Sequence, residues 1–429
     1  QRGENSMKPW LEDACALADA IKKRDVRATD ALEASLDAIA ASRLNAVVYL
    51  DAEAARRRAE AIDRALDAGE DVGPFGGVPL LVKDLEDAAG MPTTHGSVPY
   101  KDNVAGHDSI HVARLRAAGA VIVGKSAAPE FGLVAYTATK LHGVTRNPWN
   151  LERTPAGSSG GSAAAVAGGL VPLATASDGG GSIRLPASYT GLVGLKGSFG
   201  RIPRGPAAKT GSLTSVWGTV SRSVRDTARW MDVASGYHPR DQLSLPRVDN
   251  WERDLGTRDL RGLRVTVKPD LGNAVIDPAV EEIVVEAAGH LIAETGMVRV
   301  DADVRMPEKG RAWAAAGAAG LWADLKQFWP DCEPDLTFEI AGSMRLLQEY
   351  RVWTEAAVQK FRMHMNEAMC DAFEQTDVIL CAVSPYEPFN AEGPMPREVA
   401  GQIAANLAEH QSDIVDTRRA AALRGTRGG

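Results

Sequence analysis

Residues that bind metals or form disulfides are scarce in this chain. Of its 429 residues, four are cysteines and eight are histidines. No two cysteines stand at CxxC spacing, and no pair of histidines forms an HExxH motif. We therefore expect no metal and no cofactor, and we interpret all four cysteines as buried thiols: Cys15, Cys332, Cys370 and Cys381.

Long apolar runs and an excess of positive charge are also absent. No stretch is apolar enough to cross a bilayer, and the first residues lack the apolar core of a signal peptide. The formal net charge is -8 and the pI is near 5.6, so the basic footprint of a nucleic-acid-binding protein is missing. We expect a cytoplasmic protein that acts on a small molecule, without a nucleic-acid or membrane partner. Residues 1–7 are interpreted as a cloning remnant, and the arginines near the C-terminus as part of a solvated tail.

Helical and strand-like segments alternate along much of the chain. Apolar spacing predicts helices at 13–22, 30–41, 52–68, 108–118, 163–168, 227–235 and 278–295, and strands at 45–50, 78–82, 120–123, 171–175, 263–267 and 377–383. Such alternation predicts an α/β fold with helices on both faces of a sheet. The length alone allows one large or two modest domains, and we interpret residues 8–429 as one.

The segment 307–373 differs from this pattern because it looks mainly helical and is rich in aromatic residues. Its tryptophans include Trp313, Trp322, Trp329 and Trp353. We interpret it as a helical insert, which could form one wall of a substrate cleft or simply pack against the core. A further helix-like stretch covers 403–423.

One short motif matches a phosphate-binding loop without fitting its physics. Residues 119–126 satisfy the pattern GxxxxGK[ST]. That loop works because flexible residues after a strand curl their N–H groups around phosphates. Here the four variable residues are themselves a predicted strand. We therefore reject nucleotide binding and interpret Lys125 as an exposed residue that follows a strand.

Two glycine-serine clusters carry the strongest functional signal. The first, 157–162, reads Gly-Ser-Ser-Gly-Gly-Ser, and the second, 179–182, reads Gly-Gly-Gly-Ser. Glycine costs folding entropy, so such density indicates that the backbone must approach something closely. Successive glycines after a strand can point several N–H groups at one spot. This would make an oxyanion hole, with Ser182 placed to attack the carbonyl bound there.

A serine nucleophile needs a base, and no histidine lies near either cluster. Lys83 is the alternative, because burial at the end of an apolar strand would lower its pKa and let it accept a proton. Ser158 could relay that proton between Ser182 and Lys83. A Ser-His-Asp triad stays open, since its members can be distant in sequence. Taken singly, the first cluster is typical of a linker and the lysine of a solvated strand end, but together they favour catalysis.

With these motifs the chain closely resembles the amidase signature family. The resemblance is dense over 74–233 and weaker over the rest of 8–385. It rests on ordered motifs at 76–84, 124–131, 147–150, 156–163, 177–186 and 191–196. It implies the amidase-signature fold, a large, mixed, mostly parallel twisted sheet with helices on both faces. Homodimers are common in that family.

Carried over position by position, the resemblance implies a Ser–cis-Ser–Lys triad. Ser182 would be the nucleophile, Ser158 the bridging serine after a cis peptide bond, and Lys83 the general base. The oxyanion hole would be formed by the backbone N–H groups of Gly179, Gly180, Gly181 and Ser182. The residues that would hold these loops in place are Ser159, Asp178 and Arg184.

Five further positions either match the family without a catalytic role, depart from its motifs or lie between them. Glu130 and Lys125 match family positions, and we assign them structural roles. The family usually has a non-glycine residue where Gly179 stands, so a looser loop is expected there. Tyr136 and Thr137 lie between two motifs and are predicted to line the substrate pocket.

The implied activity is hydrolysis of a linear amide C–N bond through an acyl-enzyme. The region 147–206 looks most like the branch with hydrolases of oligoamides, aryl amides and urethanes, so carbamate or ester hydrolysis is a plausible extension. Two alternatives stay open. One is the glutamine-cleaving subunit of a tRNA-dependent amidotransferase, which would need partner chains, and the other is a non-catalytic protein on an amidase fold.

Overall fold

The computed structural model describes residues 12–206, 213–307, 317, 320–348 and 352–403. Residues 1–7, Trp313, the C-terminal arginines and nearly all of the predicted helix 403–423 therefore lie outside the described residues. Within the described residues, no helix is both long and apolar enough to cross a membrane.

The helices and strands follow the predicted alternation closely. The helices are α1 Ala14–Lys23, α2 Ala28–Ala41, α3 Ala52–Asp67, α4 Ile110–Ala117, α5 Gly160–Ala167, α6 Arg184–Thr190, α7 Val224–Ala234, α8 Pro278–Thr295, α9 Phe338–Leu347 and α10 Val352–Gln375. The strands are β1 Val47–Leu50, β2 Pro79–Lys83, β3 Val121–Ser126, β4 Ala138–Thr139, β5 Gly143–Val144, β6 Leu173–Asp178, β7 Val193–Gly194, β8 Val216–Ser221, β9 Arg264–Val267, β10 Val298–Arg299, β11 Val378–Leu380, β12 Glu398–Val399 and β13 Gln402–Ile403.

Side-chain caps fix where several helices begin. Asp13 accepts a hydrogen bond from an N–H of the first turn of α1, and Asp51, Ser223 and Asp277 do the same for α3, α7 and α8. A cap of this kind satisfies one of the N–H groups that a helix leaves without an internal partner. These single residues therefore determine where the four helices begin, and α7 starts three residues before the predicted 227.

The main sheet has six strands in the order β1-β3-β2-β6-β8-β7. Strand β2 runs parallel to both β3 and β6, whereas the other three pairings are antiparallel. The sheet is mixed, as predicted, but antiparallel pairs outnumber parallel ones within it. Because β2 and β6 are parallel neighbours, their carboxyl ends at Lys83 and Asp178 lie at the same edge of the sheet.

Helices cover both faces of this sheet. Leu81 belongs to a buried cluster with apolar residues of α2, α3 and α5, whereas Leu80 and Val82 belong to a second cluster with residues of α4 and α7. This division follows from the period of two in a strand, which turns successive side chains to opposite faces. Strand β2 is therefore buried on both sides, and so is the lysine at its end.

A second sheet, β10-β9-β11, is parallel throughout. The described part of the segment 307–373 is mainly helical, as predicted. This segment has an apolar cluster of its own, to which α9 contributes. Cys15 and Cys332 are buried, but Cys370 is exposed and Cys381 is partly exposed. The prediction of four buried thiols is wrong for the last two, because Cys370 lies on an outward face of α10 and Cys381 lies just beyond β11.

Candidate active site

Lys83 is surrounded by serine hydroxyl groups at the end of β2. Its side chain is fully buried. The Nζ atom lies 2.8 Å from Ser158 Oγ, 2.9 Å from Ser159 Oγ and 3.0 Å from Ser177 Oγ. Three neutral oxygen atoms thus replace the water that an exposed lysine would have.

This environment changes the acidity of the lysine. Burial lowers the pKa of Lys83 from 10.5 to about 7, although the negative charges of Glu86 and Asp178 act in the opposite direction. At neutral pH a large share of the molecules therefore carries the unprotonated amine. An amine of this kind can accept a proton.

The first glycine-serine cluster brings Ser158 and Ser159 to Lys83. The peptide bond between Gly157 and Ser158 is cis, as the resemblance implied. A Cβ atom at Gly157 would lie 2.7 Å from the Val134 carbonyl oxygen, and one at Gly161 would collide with the backbone of Ala127. Close approach of backbone is therefore what the glycines provide, and the linker interpretation is excluded. Helix α5 begins at Gly160, three residues earlier than predicted, because the cluster itself forms its first turn.

Asp178 organises the second cluster. Its carboxylate accepts hydrogen bonds from the N–H groups of Gly181 at 2.8 Å and Ile183 at 3.1 Å, and from Arg184 Nε and Nη2, both at 2.9 Å. Burial raises the pKa of Asp178, but the hydrogen bonds and charge of Arg184 outweigh it and hold that pKa below its usual value. The carboxylate therefore stays ionised and fixes the loop, in keeping with the positions predicted for Asp178 and Arg184.

The same contact corrects the predicted oxyanion hole. The Gly181 N–H is donated to Asp178, so it is not directed at a bound carbonyl. The N–H groups of Gly180 and Ser182 have no acceptor within the described part of the chain. They are the donors best suited to an oxyanion. Gly181 instead provides the turn, with a φ of +127° that favours glycine.

Ser182 faces a cleft directly beside the first cluster. The Ser159 N–H donates to the Ser182 carbonyl oxygen at 3.2 Å, which joins the two clusters. The cleft is lined by Gly132, Leu133, Val134, Ala135, Gly157, Gly180, Gly181, Ser182, Leu185, Val383, Ser384, Pro385, Tyr386 and Met395. Ser182 is the residue of the predicted triad that lies in this lining.

Three neighbours of Lys83 and Ser158 escaped the sequence analysis. Ser177 had no predicted role, yet its hydroxyl contacts Lys83. Thr175, two residues earlier on β6, accepts the Lys83 N–H at 2.8 Å. Hydroxyl groups at alternate strand positions share a face, so this spacing was the available signal. Gly132 is the third, because a Cβ atom there would lie 3.1 Å from Ser158 Oγ.

The predicted pocket residues lie behind the cleft wall. Tyr136 donates its hydroxyl hydrogen to Glu339 Oε1 at 2.6 Å, and Thr137 donates to the Ala156 carbonyl oxygen at 2.9 Å. Neither belongs to the cleft lining. This prediction is wrong because both side chains point into the protein and are almost fully buried.

Glu130 and Lys125 make structural contacts. Glu130 accepts hydrogen bonds from Ser97 Oγ and from the Thr337 N–H at the start of α9. Lys125 is fully buried and donates to the Glu86 carbonyl oxygen at 2.5 Å. It is not exposed as predicted, because β3 continues through it to Ser126.

The helical insert supports the cleft from behind. Leu133, which lines the cleft, packs against the apolar cluster of the insert. No residue of 307–373 that the structure describes lines the cleft itself. No histidine is among the contacts of Lys83 or Ser182 in the described ranges, which favours the lysine as base over a Ser-His-Asp arrangement.

Comparison with known proteins shows which family the chain resembles. The sequence model of the amidase family matches residues 30–407. An acylamidase from Rhodococcus erythropolis is 38% identical over 280 residues, which are 65% of this chain and 58% of that relative. The chain thus spans little more than half the length of that protein.

Two further similarities cover more of the chain. A glutamyl-tRNA(Gln) amidotransferase subunit from Acidothermus cellulolyticus is 35% identical over 416 residues, covering 88% of this chain and 80% of the relative. The crystal structure of a bacterial aryl acylamidase of the amidase signature family superposes with a TM-score of 0.86 at 27% identity. That match covers 94% of this chain and 88% of the other.

Proposed function

The chain belongs to the amidase family, and on that premise we propose that it hydrolyses the C–N bond of a linear, uncharged amide. The observation that carries this proposal is the fully buried Lys83 amine, 2.8 Å from the Ser158 hydroxyl and beside a cleft that Ser182 lines. Ser182 is the nucleophile, Ser158 the relay and Lys83 the base.

The hydrogen bonds around Lys83 are consistent with a neutral amine. Such an amine has two N–H donors and one lone pair, which together match its three serine neighbours. The Ser159 hydroxyl hydrogen is directed to the Ser177 carbonyl oxygen at 3.2 Å, so Ser159 accepts from Lys83. The lone pair is then left for a hydroxyl hydrogen of Ser158 or Ser177. In the reaction we assign it to Ser158.

Acylation then proceeds without a metal or histidine in any step. The Ser182 proton passes to Ser158 while the Ser158 proton passes to Lys83, and Ser182 Oγ forms a bond to the carbonyl carbon. The negative charge on the carbonyl oxygen is stabilised by the N–H groups of Gly180 and Ser182. When the C–N bond breaks, the proton returns through Ser158 to the leaving nitrogen. Water, activated by the same relay, releases the acid from the acyl-enzyme.

The cleft lining favours an uncharged substrate. None of the lining residues within the described chain is an Asp, Glu, Lys, Arg or His. A charged substrate group would lose its water there without gaining a counter-charge, which is costly. An anilide or other apolar amide fits this lining, and a carbamate needs only room for its alkoxy oxygen. An acylamidase and an aryl acylamidase among the similar proteins support the same assignment.

A second candidate is supported by the amidotransferase subunit that matches 88% of this chain. A glutamine-cleaving subunit must bind both charged groups of glutamine and act with partner chains. Turnover of anilides by the purified chain would favour the amidase, whereas glutaminase activity that needs partner chains would favour the alternative. The homodimer and the cytoplasmic compartment stay predictions.

The experiment is a substrate panel combined with active-site labelling. The purified chain is assayed with anilides, short aliphatic amides, carbamates, esters and glutamine, and a fluorophosphonate adduct is mapped by mass spectrometry. We expect the adduct on Ser182 and the fastest turnover with apolar amides. An adduct elsewhere, or full turnover in Ser182→Ala, would contradict the proposal.

A further inference from the structure

A buried carboxylate belongs to the turn that follows the base in the chain. Glu86 closes the turn that follows β2, since its N–H donates to the Lys83 carbonyl oxygen at 2.9 Å. Its side chain is fully buried, and Oε2 lies 3.0 Å from Nε2 of His111, which is also fully buried. Glu86 takes no part in the steps of acylation.

The other carboxylates near Lys83 are already saturated with donors. Asp178 accepts two backbone N–H groups and both nitrogens of the Arg184 fork. Asp84 accepts from the N–H groups of Thr94 and Gly96 and from the Thr94 hydroxyl. His142 Nε2 stands 3.6 Å from the same carboxylate. Their charges are therefore spread over several donors.

Two other lysines lie in this region, and each has contacts of its own. Lys125, on the neighbouring strand β3, donates to the Glu86 carbonyl oxygen and to the Thr93 hydroxyl. Lys196 lies near Asp178 and Arg184, beyond the second cluster. Lys125 thus meets the main chain of Glu86, and Lys196 belongs to the surroundings of Asp178.

Glu86 is less well compensated than its neighbours. Its Oε1 atom has no hydrogen-bond partner in the described part of the protein, and neither has Nδ1 of His111. His111 stacks on Trp217, with ring centroids 5.3 Å apart. Trp217 pairs in the sheet with Ser177, which touches Lys83. The Glu86–His111 pair thus adjoins the base through both the β2 turn and β8.

A negative charge near a lysine favours the protonated amine, and the charge of Glu86 acts on the pKa of Lys83 in this direction. A fully desolvated lysine far from any negative charge releases its proton readily and accepts one poorly. A general base works best when its pKa is close to the working pH. We propose that Glu86 is a positioning residue for amide hydrolysis: its buried carboxylate, held by His111, makes Lys83 basic enough to take the proton from the serine relay.

This proposal rests on Lys83 being the base. Its test is the pH dependence of Ser182 labelling by a fluorophosphonate, which needs no knowledge of the substrate. Glu86→Gln keeps the size of the side chain and an acceptor for His111 but removes the charge. We expect the acidic limb of the rate profile to move down by about one pH unit, because an opposite charge nearby is removed. We also expect a slower plateau, because the base is weaker.

Glu130→Gln is the matched control. Glu130 is also a buried carboxylate, but its contacts are with Ser97 and Thr337. Its substitution should leave the limb in place, even if it changes the plateau. Glu86→Ser, shorter and uncharged, serves as a second variant and should move the limb in the same direction as Glu86→Gln.

The outcomes separate this role from the proposed function. A wild-type profile without a limb near neutral pH contradicts Lys83 as the base. A limb that stays in place, or rises, in folded Glu86→Gln overturns only the role of Glu86. If neither Glu86 variant folds, as judged by circular dichroism, the residue is structural and this proposal fails.

Discussion

Acidification should stop the acylation of Ser182 while the protein stays folded. With a pKa of about 7, the share of unprotonated Lys83 falls from about 90% near pH 8 to about 10% near pH 6. We therefore expect the rate of acylation to fall by about tenfold over that range, and by about tenfold for each further pH unit. The sign follows from the requirement for the neutral amine: protonation on the acidic side removes the base.

Burial accounts for the size of this effect. A lysine with the ordinary pKa of 10.5 would be unprotonated in only about one molecule in 3,000 at pH 7. Without burial, acylation would keep rising up to about pH 10. Burial of the Lys83 amine therefore raises the fraction of usable base at neutral pH by about 10³-fold.

The assay is the second-order rate constant for fluorophosphonate labelling between about pH 5 and pH 10, in buffers of constant ionic strength. Samples returned from acid to about pH 8 should regain full labelling, which separates protonation from unfolding. Lys83→Ala should label slowly and show no limb. A flat profile between about pH 5 and pH 8, or a rise that continues to about pH 10, would refute the reasoning.

The other expected results concern the nucleophile, the relay and the cleft. Ser182→Ala should reduce amide turnover by at least about 10³-fold with an unchanged melting temperature; a smaller loss would contradict its role. Gly132→Ala should reduce turnover by about 10–100-fold, because the added Cβ would lie 2.7 Å from Leu85 and 3.1 Å from Ser158 Oγ at a φ of +70°, and unaltered kinetics would contradict this. Tyr386→Phe should alter the ranking of amide substrates in a kcat/KM panel, since Tyr386 lines the cleft. Tyr136→Phe, its matched control, should leave that ranking unchanged and cost about 1 kcal/mol in unfolding free energy, since it loses one buried hydrogen bond.

The local backbone was largely readable from the sequence. Caps such as Asp13 and Ser223 are single-residue signals for helix starts, and the apolar run before Lys83 predicted a buried strand. The sequence did not show that most strand pairs in the main sheet are antiparallel, because pairing depends on which distant strands become neighbours. Strand β8, which pairs antiparallel with β6, is an example.

The candidate site was readable only in part. Glycine density marked the loops of Ser158 and Ser182, since close backbone approach requires glycine. Glycine density does not show which N–H groups are left to bind an oxyanion. The Gly181 N–H is not one of them, because it donates to Asp178. Tyr136 lies near the right motif but points away from the cleft.

The sequence by itself determined the chemistry of the site: one lysine after an apolar strand, two glycine-serine clusters and the order in which they occur. The tertiary structure decided which of these groups meet and whether the lysine can act as a base. Lys83 and Ser158 are 75 residues apart in the chain, and they meet only because β2 packs against the first cluster. Exclusion of water, which makes the lysine a base, comes from packing on both faces of the sheet. The same holds for Glu86, because the field of a buried charge depends on distances that sequence spacing does not encode.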